Sequence, residues 1–247
     1  MKKACLCLLC CLSSLLSHAQ HGTQFENRGF ERWSNYGSGN STCEPVRWHA
    51  GMSASGTYSG FLSQQIEPSS VVRPGSSGTK SVRIWPKSIM GITANGNLTN
   101  GRMNAGSASA SGSKNYNYTQ RSDVRFNTPI DRVPDSLVVW VCFRSVSPDQ
   151  STMVKAVIHG DADFRMMANG AMEPADKLVA TALLTFRRTS EAGGRYVWRR
   201  LSIPFVKNGP CRDPKYILFT ITTNDKPGRG STADDLLVDD VELIYNP

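Results

Sequence analysis

The sequence lacks the short motifs by which common hydrolases and metalloenzymes are recognised. It contains no G-x-S-x-G or H-E-x-x-H pattern and no glycine-rich phosphate-binding loop. Two of its four histidines, His49 and His159, lie well inside the chain, and neither has a cysteine or histidine close by in sequence. A zinc site is therefore not indicated. The sequence therefore gives no local signature of a serine hydrolase, a zinc metalloprotease or a phosphate-binding enzyme.

Long apolar runs are scarce, and the clearest one lies at the start of the chain. The opening MKKACLCLLCCLSSLLSHAQ places two lysines before an apolar stretch that is too short to span a bilayer. Small residues follow, and the pattern predicts a secretory signal peptide over residues 1–19, cleaved after Ala19, with a membrane anchor as the alternative. The small residue that lipid attachment requires does not precede Cys7, Cys10 or Cys11. We therefore expect a secreted, periplasmic or cell-surface protein without a lipid.

Cysteine is scarce in the rest of the chain. Only three of the seven cysteines lie beyond residue 19, too few for a disulfide scaffold, so a hydrophobic core must hold the fold together. Cys142 lies in the apolar run LVVWVCF and is predicted to be a buried thiol. Cys43 and Cys211 lie in polar, proline-containing segments, and a disulfide between these two is left open.

The charge pattern gives no sign of a nucleic-acid partner. The chain has a formal net charge of +8, and removal of residues 1–19 leaves 26 basic and 20 acidic residues. The basic residues are dispersed rather than gathered into a stripe, and no nucleic-acid-binding module is visible. A mixed, solvated surface is predicted instead.

Sustained helical periodicity is also missing, whereas short β-branched or aromatic runs separated by turn residues recur. The runs are SVRIW, SLVVWVCFR, TMVKAVIH, KLVATALLTFR, RYVWRRLSIPF, YILFTITTN and LLVDDVELIY. They predict an all-β protein in which residues 20–247 form a single jelly-roll-like β-sandwich with long Gly/Ser/Asn-rich loops. KLVATALLTFR could instead form a helical turn. The polar stretch from 91 to 120 is interpreted as loops and irregular strands of this domain, rather than as a linker.

Acidic residues are present, but no motif selects a catalytic pair. Glycoside hydrolysis needs two carboxyl groups on either side of one sugar bond. The chain has 20 acidic residues and none lies in a pattern typical of such a pair, so no catalytic residue is predicted. Adjacent acids in the closing segment STADDLLVDDVELIY have two alternative explanations. They could be charges that protect an edge strand, or they could form part of a cation site.

Segments along the whole of the chain after residue 19 resemble a known family. The opening ENRGFERWSN, followed by CEPVRWHAG, resembles the N-x-G-F-E-x-W start of jelly-roll carbohydrate-binding modules, and the closing VDDVEL resembles their last strand. With ANGNLTNGR, VPDSLVVWVCFR, YVWRRLSIPF and YILFTITTNDKPGRGST between them, the chain is similar to the putative carbohydrate metabolism domain family. That family occurs on secreted and surface proteins of polysaccharide-degrading bacteria, many of them lipid-anchored, whereas this chain lacks the lipobox.

The resemblance implies a structural calcium ion. In the related modules Ca²⁺ joins the first strand to the last through the Glu of the F-E motif and an Asp of the closing strand, positions that match Glu31 and Asp239 here. Calcium takes six to eight oxygen ligands, and two partly buried acids would otherwise repel each other. The alternative is that Glu31 pairs with Arg28 or Arg32, and that Asp239 pairs with some other arginine.

Aromatic residues supply the candidate sugar contacts, because the apolar face of a sugar ring packs on aromatic rings. In LVVWVCFR, alternation assigns Leu137, Val139, Val141 and Phe143 to the core and turns Trp140 and Arg144 to the opposite face. The same rule groups Tyr196 with Trp198 in YVWRRL. We predict carbohydrate binding by Trp140, Arg144, Trp198 and Tyr196. Tyr116 and Tyr118 are weaker candidates, and Trp33 and Trp48 are predicted to pack in the core.

Together these patterns favour a secreted, non-catalytic glycan-binding protein linked to polysaccharide use. A glycoside hydrolase or related glycan-active enzyme is the first alternative. A non-catalytic adhesive or structural envelope module is the second.

Overall fold

The computed structural model describes residues 22–34, 43–89 and 91–246. Within these ranges the protein consists of eighteen β-strands and four single-turn 3₁₀ helices. The 3₁₀ helices are Gly51–Ser53, Ser59–Phe61, Val124–Phe126 and Ala175–Lys177. The all-β class predicted from the sequence is confirmed. The predicted signal peptide lies outside the described residues.

The strands are numbered in chain order. The first nine are β1 (Trp33–Ser34), β2 (Glu44–Pro45), β3 (Ile66–Ser69), β4 (Ser81–Ile84), β5 (Lys87–Ile89), β6 (Ile92–Ala94), β7 (Asn97–Thr99), β8 (Arg102–Ala105) and β9 (Asn115–Tyr118). The others are β10 (Ser136–Ser145), β11 (Ser151–His159), β12 (Arg165–Met167), β13 (Met172–Glu173), β14 (Leu178–Arg187), β15 (Ser190–Glu191), β16 (Arg199–Pro204), β17 (Tyr216–Thr222) and β18 (Asp235–Ile244).

Two sheets form the sandwich. Sheet one has the order β15-β10-β18-β4-β3, with β16 also paired to β10, and sheet two has the order β14-β11-β17-β7. Their facing sides share one hydrophobic cluster, which includes Val139 and Val141 of β10, Ala156 of β11 and Phe219 of β17. Alternating apolar residues on each strand therefore close a common core between the layers, as expected of a β-sandwich. The jelly-roll-like sandwich predicted from the sequence is thus confirmed.

A third, smaller sheet covers part of the outer face of sheet two. Sheet three has the order β13-β12-β9-β8. A separate cluster made of Val157, Phe164, Met166 and Leu218 joins it to sheet two. Gly101 lies at the turn between β7 and β8, where a Cβ would approach Leu218 Cδ1 and the Tyr118 carbonyl oxygen to 2.4 Å. This glycine permits the chain to fold back directly onto sheet two.

His159 is buried at the junction of sheets two and three. Its ring stacks on Phe164 with centroids 4.7 Å apart and lies 2.8 Å from the Thr119 hydroxyl through Nε2. Burial lowers the pKa of His159 to about 4, so the ring is neutral at pH 7. A neutral imidazole can donate to the Gly160 carbonyl from Nδ1, 2.8 Å away, and accept from Thr119. The ring therefore acts as a polar connection between the layers.

The two ends of the described chain lie together in the layer of sheet one. Gln24 donates to the Leu243 carbonyl oxygen and accepts from the Leu243 amide, and the Val241 amide donates to the Arg28 carbonyl oxygen. The Tyr245 hydroxyl donates to the Thr23 carbonyl oxygen over 2.9 Å. The segment before β1 thus pairs with the part of β18 that continues beyond its pairing with β4.

The seven apolar runs identified in the sequence all contain strands. Ten of the eleven residues of KLVATALLTFR form one strand, β14, and not a helical turn; Lys177 ends the 3₁₀ helix before it. Trp48 is fully buried and Trp33 packs against the core, as predicted. Cys142 is buried, and Cys43 and Cys211 are free thiols rather than a disulfide. None of the helices in the described ranges is long and apolar enough to cross a membrane.

Candidate functional site

The closing strand is not at an edge of its sheet. β18 lies between β10 and β4, so protection of an edge does not explain its acids. Asp235 accepts from Arg83 and from Arg144, and Asp234 accepts from the Ser145 hydroxyl over 2.7 Å. These two buried carboxylates connect β18 to its neighbours β4 and β10.

The next two acids of β18 hold a surface loop, residues 70–80. Asp239 accepts from the Arg73 amide over 3.1 Å, and Asp240 forms a salt bridge with the Arg73 guanidinium. Glu31 binds the other end of the same loop by accepting from the amides of Thr79 and Lys80. The two residues predicted to share a calcium ion therefore both contact this loop, and the described structure shows neither arginine pairing that was the alternative for Glu31.

Asp239 is the most unusual of these carboxyls, because its side chain is fully buried next to a second acid. Burial, more than the nearby Asp240 carboxylate, raises the pKa of Asp239 to about 6. Both oxygens of Asp239 and both of Glu31 accept hydrogen bonds from N–H groups. Among the residues described, no group of three or more His, Cys, Asp or Glu side chains could hold a metal ion. The shared calcium ion stays a prediction.

The four residues predicted to bind carbohydrate lie on or beside the outer face of sheet one. Arg144 stacks on the Tyr196 ring at 4.2 Å and also pairs with Asp235. Trp140 is half-buried beneath the guanidinium of Arg73, 5.3 Å from the ring centroid. Trp198 precedes β16 and is half-buried, with an indole N–H that has no partner among the residues the structure describes. The structure thus brings Arg144 and Tyr196 into contact, and the binding role of all four stays a prediction.

A concave surface lies on the opposite side of the molecule. It is a groove of about 770 Å³ on the outer face of sheet two, beside the area that sheet three covers. Its floor includes Met153 and Lys155 of β11, with Thr222 and Thr220 of β17 directly beside them in register. One wall comes from the polar segment between β6 and β9, and we call the whole surface the sheet-two groove.

The floor of the sheet-two groove carries an ordered amide network. Asn97 donates to the Asn117 side-chain oxygen over 2.8 Å, and Asn117 donates to the Thr220 hydroxyl over 2.7 Å. The Thr220 hydroxyl in turn donates to Asn97 over 2.7 Å, which closes the ring. Mutual hydrogen bonds hold these polar groups in fixed positions before any ligand arrives. Eight amide side chains line the groove in all: Gln65, Asn95, Asn97, Asn104, Asn115, Asn117, Asn169 and Asn224.

Three aromatic rings line the same groove. Phe61 is 56% exposed, and its ring centroid lies 6.1 Å from that of Tyr58. Tyr116 of β9 lies on the sheet-three side, with the Arg165 guanidinium over its ring at 5.3 Å. Aromatic faces and fixed amides in one concave surface are the combination that suits a sugar, which has apolar ring faces and a rim of hydroxyls.

Charged groups are few in the sheet-two groove. Its described lining contains two amines, Lys155 and Lys226, and one carboxylate, Asp225. Lys155 is only 9% exposed and has no hydrogen bond or ion pair with the residues described. Burial lowers the pKa of its amine. The floor of the groove therefore holds a largely buried lysine whose amine has no partner among the described residues.

Of the residues that line this surface, Tyr116 alone was predicted from the sequence, and as a weaker candidate. Alternation separates core residues from outward residues, but it does not say which outward face another sheet will cover. One signal was available in TMVKAVIH, where Lys155 interrupts an apolar face formed with Met153 and Val157. The excess of asparagine between 91 and 120 was the other signal.

No protein-family model matches the chain, and no curated protein is similar to it. Solved structures do match. A putative glycoside hydrolase from Bacteroides thetaiotaomicron is 15% identical with a TM-score of 0.59, and the match covers 91% of this chain and 71% of that one. The arabinose-bound α-L-arabinofuranosidase MgGH51 is 13% identical with a TM-score of 0.44, covering 90% and 26% of the two chains. The module TmCBM61, solved with β-1,4-galactotriose, is 12% identical with a TM-score of 0.37, covering 91% and 99%.

The first of these likenesses shows a shared fold over most of both chains. At 15% identity it shows the fold alone. This chain spans about a quarter of the length of the arabinofuranosidase. What this chain binds therefore depends on the geometry of its own surface.

Proposed function

We propose that this protein is a secreted, non-catalytic glycan-binding protein linked to polysaccharide use, and that the sheet-two groove is its binding surface. The observation that carries the proposal is the meeting of three aromatic rings and eight amide side chains in one groove of about 770 Å³. A volume of this size accommodates a short oligosaccharide rather than a single small ion. The ordered Asn97–Asn117–Thr220 ring would reduce the entropy lost on binding.

The composition of the groove favours binding over hydrolysis. Paired carboxyl groups are needed for the usual mechanisms of glycosidic bond cleavage. Asp225 is the single carboxylate among the described lining residues, so a general acid has no acidic partner there. The acids of β18 do not supply one, because they are hydrogen-bonded within and beside sheet one. A glycoside hydrolase remains the competing function that the experiment must test.

The proposal predicts that removal of an aromatic ring from the groove weakens glycan binding without unfolding the protein. Tyr116→Ala should reduce affinity roughly ten- to a hundredfold, because stacking and apolar contact on one ring contribute about 1–3 kcal/mol. Glycan-array screening followed by calorimetry on the bound oligosaccharides measures the loss. Assays for reducing ends on the same polysaccharides test for hydrolysis.

Trp140→Ala is the matched control, because it removes an aromatic ring from the outer face of sheet one. If binding uses the sheet-two groove, this variant should retain the affinity of the wild type. Loss of binding in Trp140→Ala with a normal melting temperature, and none in Tyr116→Ala, would move the site to the residues predicted from the sequence. Release of reducing sugar by the wild type would replace the binding function with an enzymatic one. Binding to no glycan, with recovery of an envelope protein instead, would favour the adhesive alternative.

A further inference from the structure

Lys155 occupies a position that internal packing does not explain. It belongs to β11, in the middle of sheet two, and its register neighbours are Thr220 on β17 and Leu183 on β14. Along its own strand, Met153 and Val157 share its face. None of these four side chains carries a charge, and the amine has no ion pair within the described part of the chain. A neutral, apolar side chain would fill this position at lower cost.

The surroundings also identify the sign of the missing partner. The described lining of the groove contains two amines and one carboxylate and has neither arginine nor histidine, so its formal charge is positive. Lys226 is exposed at one end, whereas Lys155 lies in the floor, where water screens a charge least. A ligand that enters the groove and carries a negative charge would supply the ion pair that the fold does not.

We propose that the sheet-two groove selects acidic glycans, and that Lys155 binds the carboxylate of a uronic acid residue. This inference rests on the proposed function and adds the chemical class of the glycan. The amine of Lys155 is the charged donor to the carboxylate. The Thr220 hydroxyl and the side-chain amides of Asn97 and Asn117 lie beside it and form hydrogen bonds with the sugar hydroxyls. Leu183, which is 52% exposed on β14, leaves the face beyond Lys155 open for the rest of the glycan.

The test compares an acidic oligosaccharide with its neutral counterpart. The probes are a galacturonic acid oligomer and the galactose oligomer made from it by carboxyl reduction, which keeps the linkage and removes the charge. Wild-type protein should bind the acidic oligomer roughly ten- to a hundredfold more tightly, the range expected for a charged hydrogen bond. Added salt should reduce this preference. A sulfated galactose oligomer distinguishes a carboxylate from a sulfate.

Lys155→Met should lose the preference and bind both oligomers equally, while its thermal stability stays equal to or exceeds that of the wild type. A purely structural lysine would instead lower stability and leave the ratio of affinities unchanged. Lys207→Met is the matched control, since it removes the same charge from an exposed position outside the lining of the groove and should keep the preference. Lys155→Gln gives a second neutral variant should the methionine variant fold poorly.

Equal affinity of the wild type for the acidic and the reduced oligomer would overturn the inference but leave glycan binding in place. So would an equal loss in both lysine variants, or tighter binding of the sulfated oligomer. Failure of the wild type to bind these probes and every glycan of the array would overturn the inference and the proposed function together.

Discussion

At the scale of single residues, Asp239 holds the 70–80 loop although burial of its carboxyl disfavours the ionised form. Its side chain is fully buried, and it accepts from the Arg73 amide at the start of the 70–80 loop. Glu31 holds the far end of that loop and remains partly exposed, and its four hydrogen bonds from Thr79 and Lys80 keep its pKa below the ordinary value although burial opposes them. Both acids therefore hold the same loop, but the pKa of Asp239 is raised and that of Glu31 is lowered.

The raised pKa of Asp239 predicts a specific dependence of stability on pH. The pKa is about 6 in the folded state against an ordinary value of 3.8, so the folded protein holds the proton more tightly than the unfolded chain. The stabilisation that the protonated Asp239 carboxyl gives to the folded state is fully present below about pH 4, and it is lost as the pH rises to about 6. The loss amounts to ~3 kcal/mol in the absence of a bound cation. Urea unfolding of wild type and Asp239→Asn between pH 4 and 7 measures it as the difference between the two curves.

A bound calcium ion would oppose the loss of stability that follows ionisation of Asp239, and the Asp239→Asn variant tests for such an ion. A cation bound between Glu31 and Asp239 would favour the ionised carboxyl, so wild-type protein at pH 7 should melt at a lower temperature in excess EDTA. Asp239→Asn should be insensitive to the chelator, whereas Asp240→Asn, which changes the neighbouring acid, should respond like the wild type. A melting temperature that chelation leaves unchanged would remove the calcium site and leave hydrogen bonding as the sole role of both acids.

At the scale of elements, sheet three limits the extent of the sheet-two groove. Its strands have two to four residues, and it is joined to sheet two by the small cluster around Phe164 and Met166 and by the buried His159. Where sheet three ends, the outer face of sheet two becomes the floor of the groove. The position of sheet three therefore sets the width of the sheet-two groove, and the close approach of Gly101 to Leu218 and Tyr118 predicts that this glycine helps to position sheet three.

Gly101→Ala should displace sheet three. A methyl group there meets Leu218 and the Tyr118 backbone, and overpacking of this kind costs about 1–3 kcal/mol. We expect a lower melting temperature, faster amide exchange in β8 and β9, and weaker glycan binding. Gly60→Ala is the control, because a Cβ at that position has nothing within 4 Å, and it should keep wild-type stability. Normal exchange in β8 and β9 of the Gly101 variant would show that the glycine does not position the sheet.

The strands were predictable where alternation is strong and the strand is long. β10 presents Leu137, Val139, Val141 and Phe143 to the core as the pattern required. β18 alternates only on either side of an irregularity at Asp240, which puts Val238 and Val241, three positions apart, on the core side. The short strands of sheet three were not predictable, because Asn115–Tyr118 is half polar and gains its β-conformation from pairing with distant segments. The groove was missed for the same reason, since its wall is built from that polar segment.

At the scale of the whole molecule, the proposed secretion makes a prediction about the mature chain. The opening residues have the features of a cleaved signal peptide, and no small residue is placed for lipid attachment at Cys7, Cys10 or Cys11. Mass spectrometry of protein recovered from outside the cytoplasm should show a chain that begins at Gln20 with no added lipid mass. A lipid-modified cysteine, or retention of the first 19 residues, would contradict the predicted processing.

The pairing of Thr23 and Gln24 with Leu243 and Tyr245 has a practical consequence for binding assays. Both ends of the described chain lie in the layer of sheet one, and the groove opens on the far side of sheet two, with the core between them. Protein immobilised on a sensor chip or bead through its carboxyl-terminal end would therefore present the groove to the bulk solution. A long polysaccharide could then reach the groove without steric hindrance from the solid support.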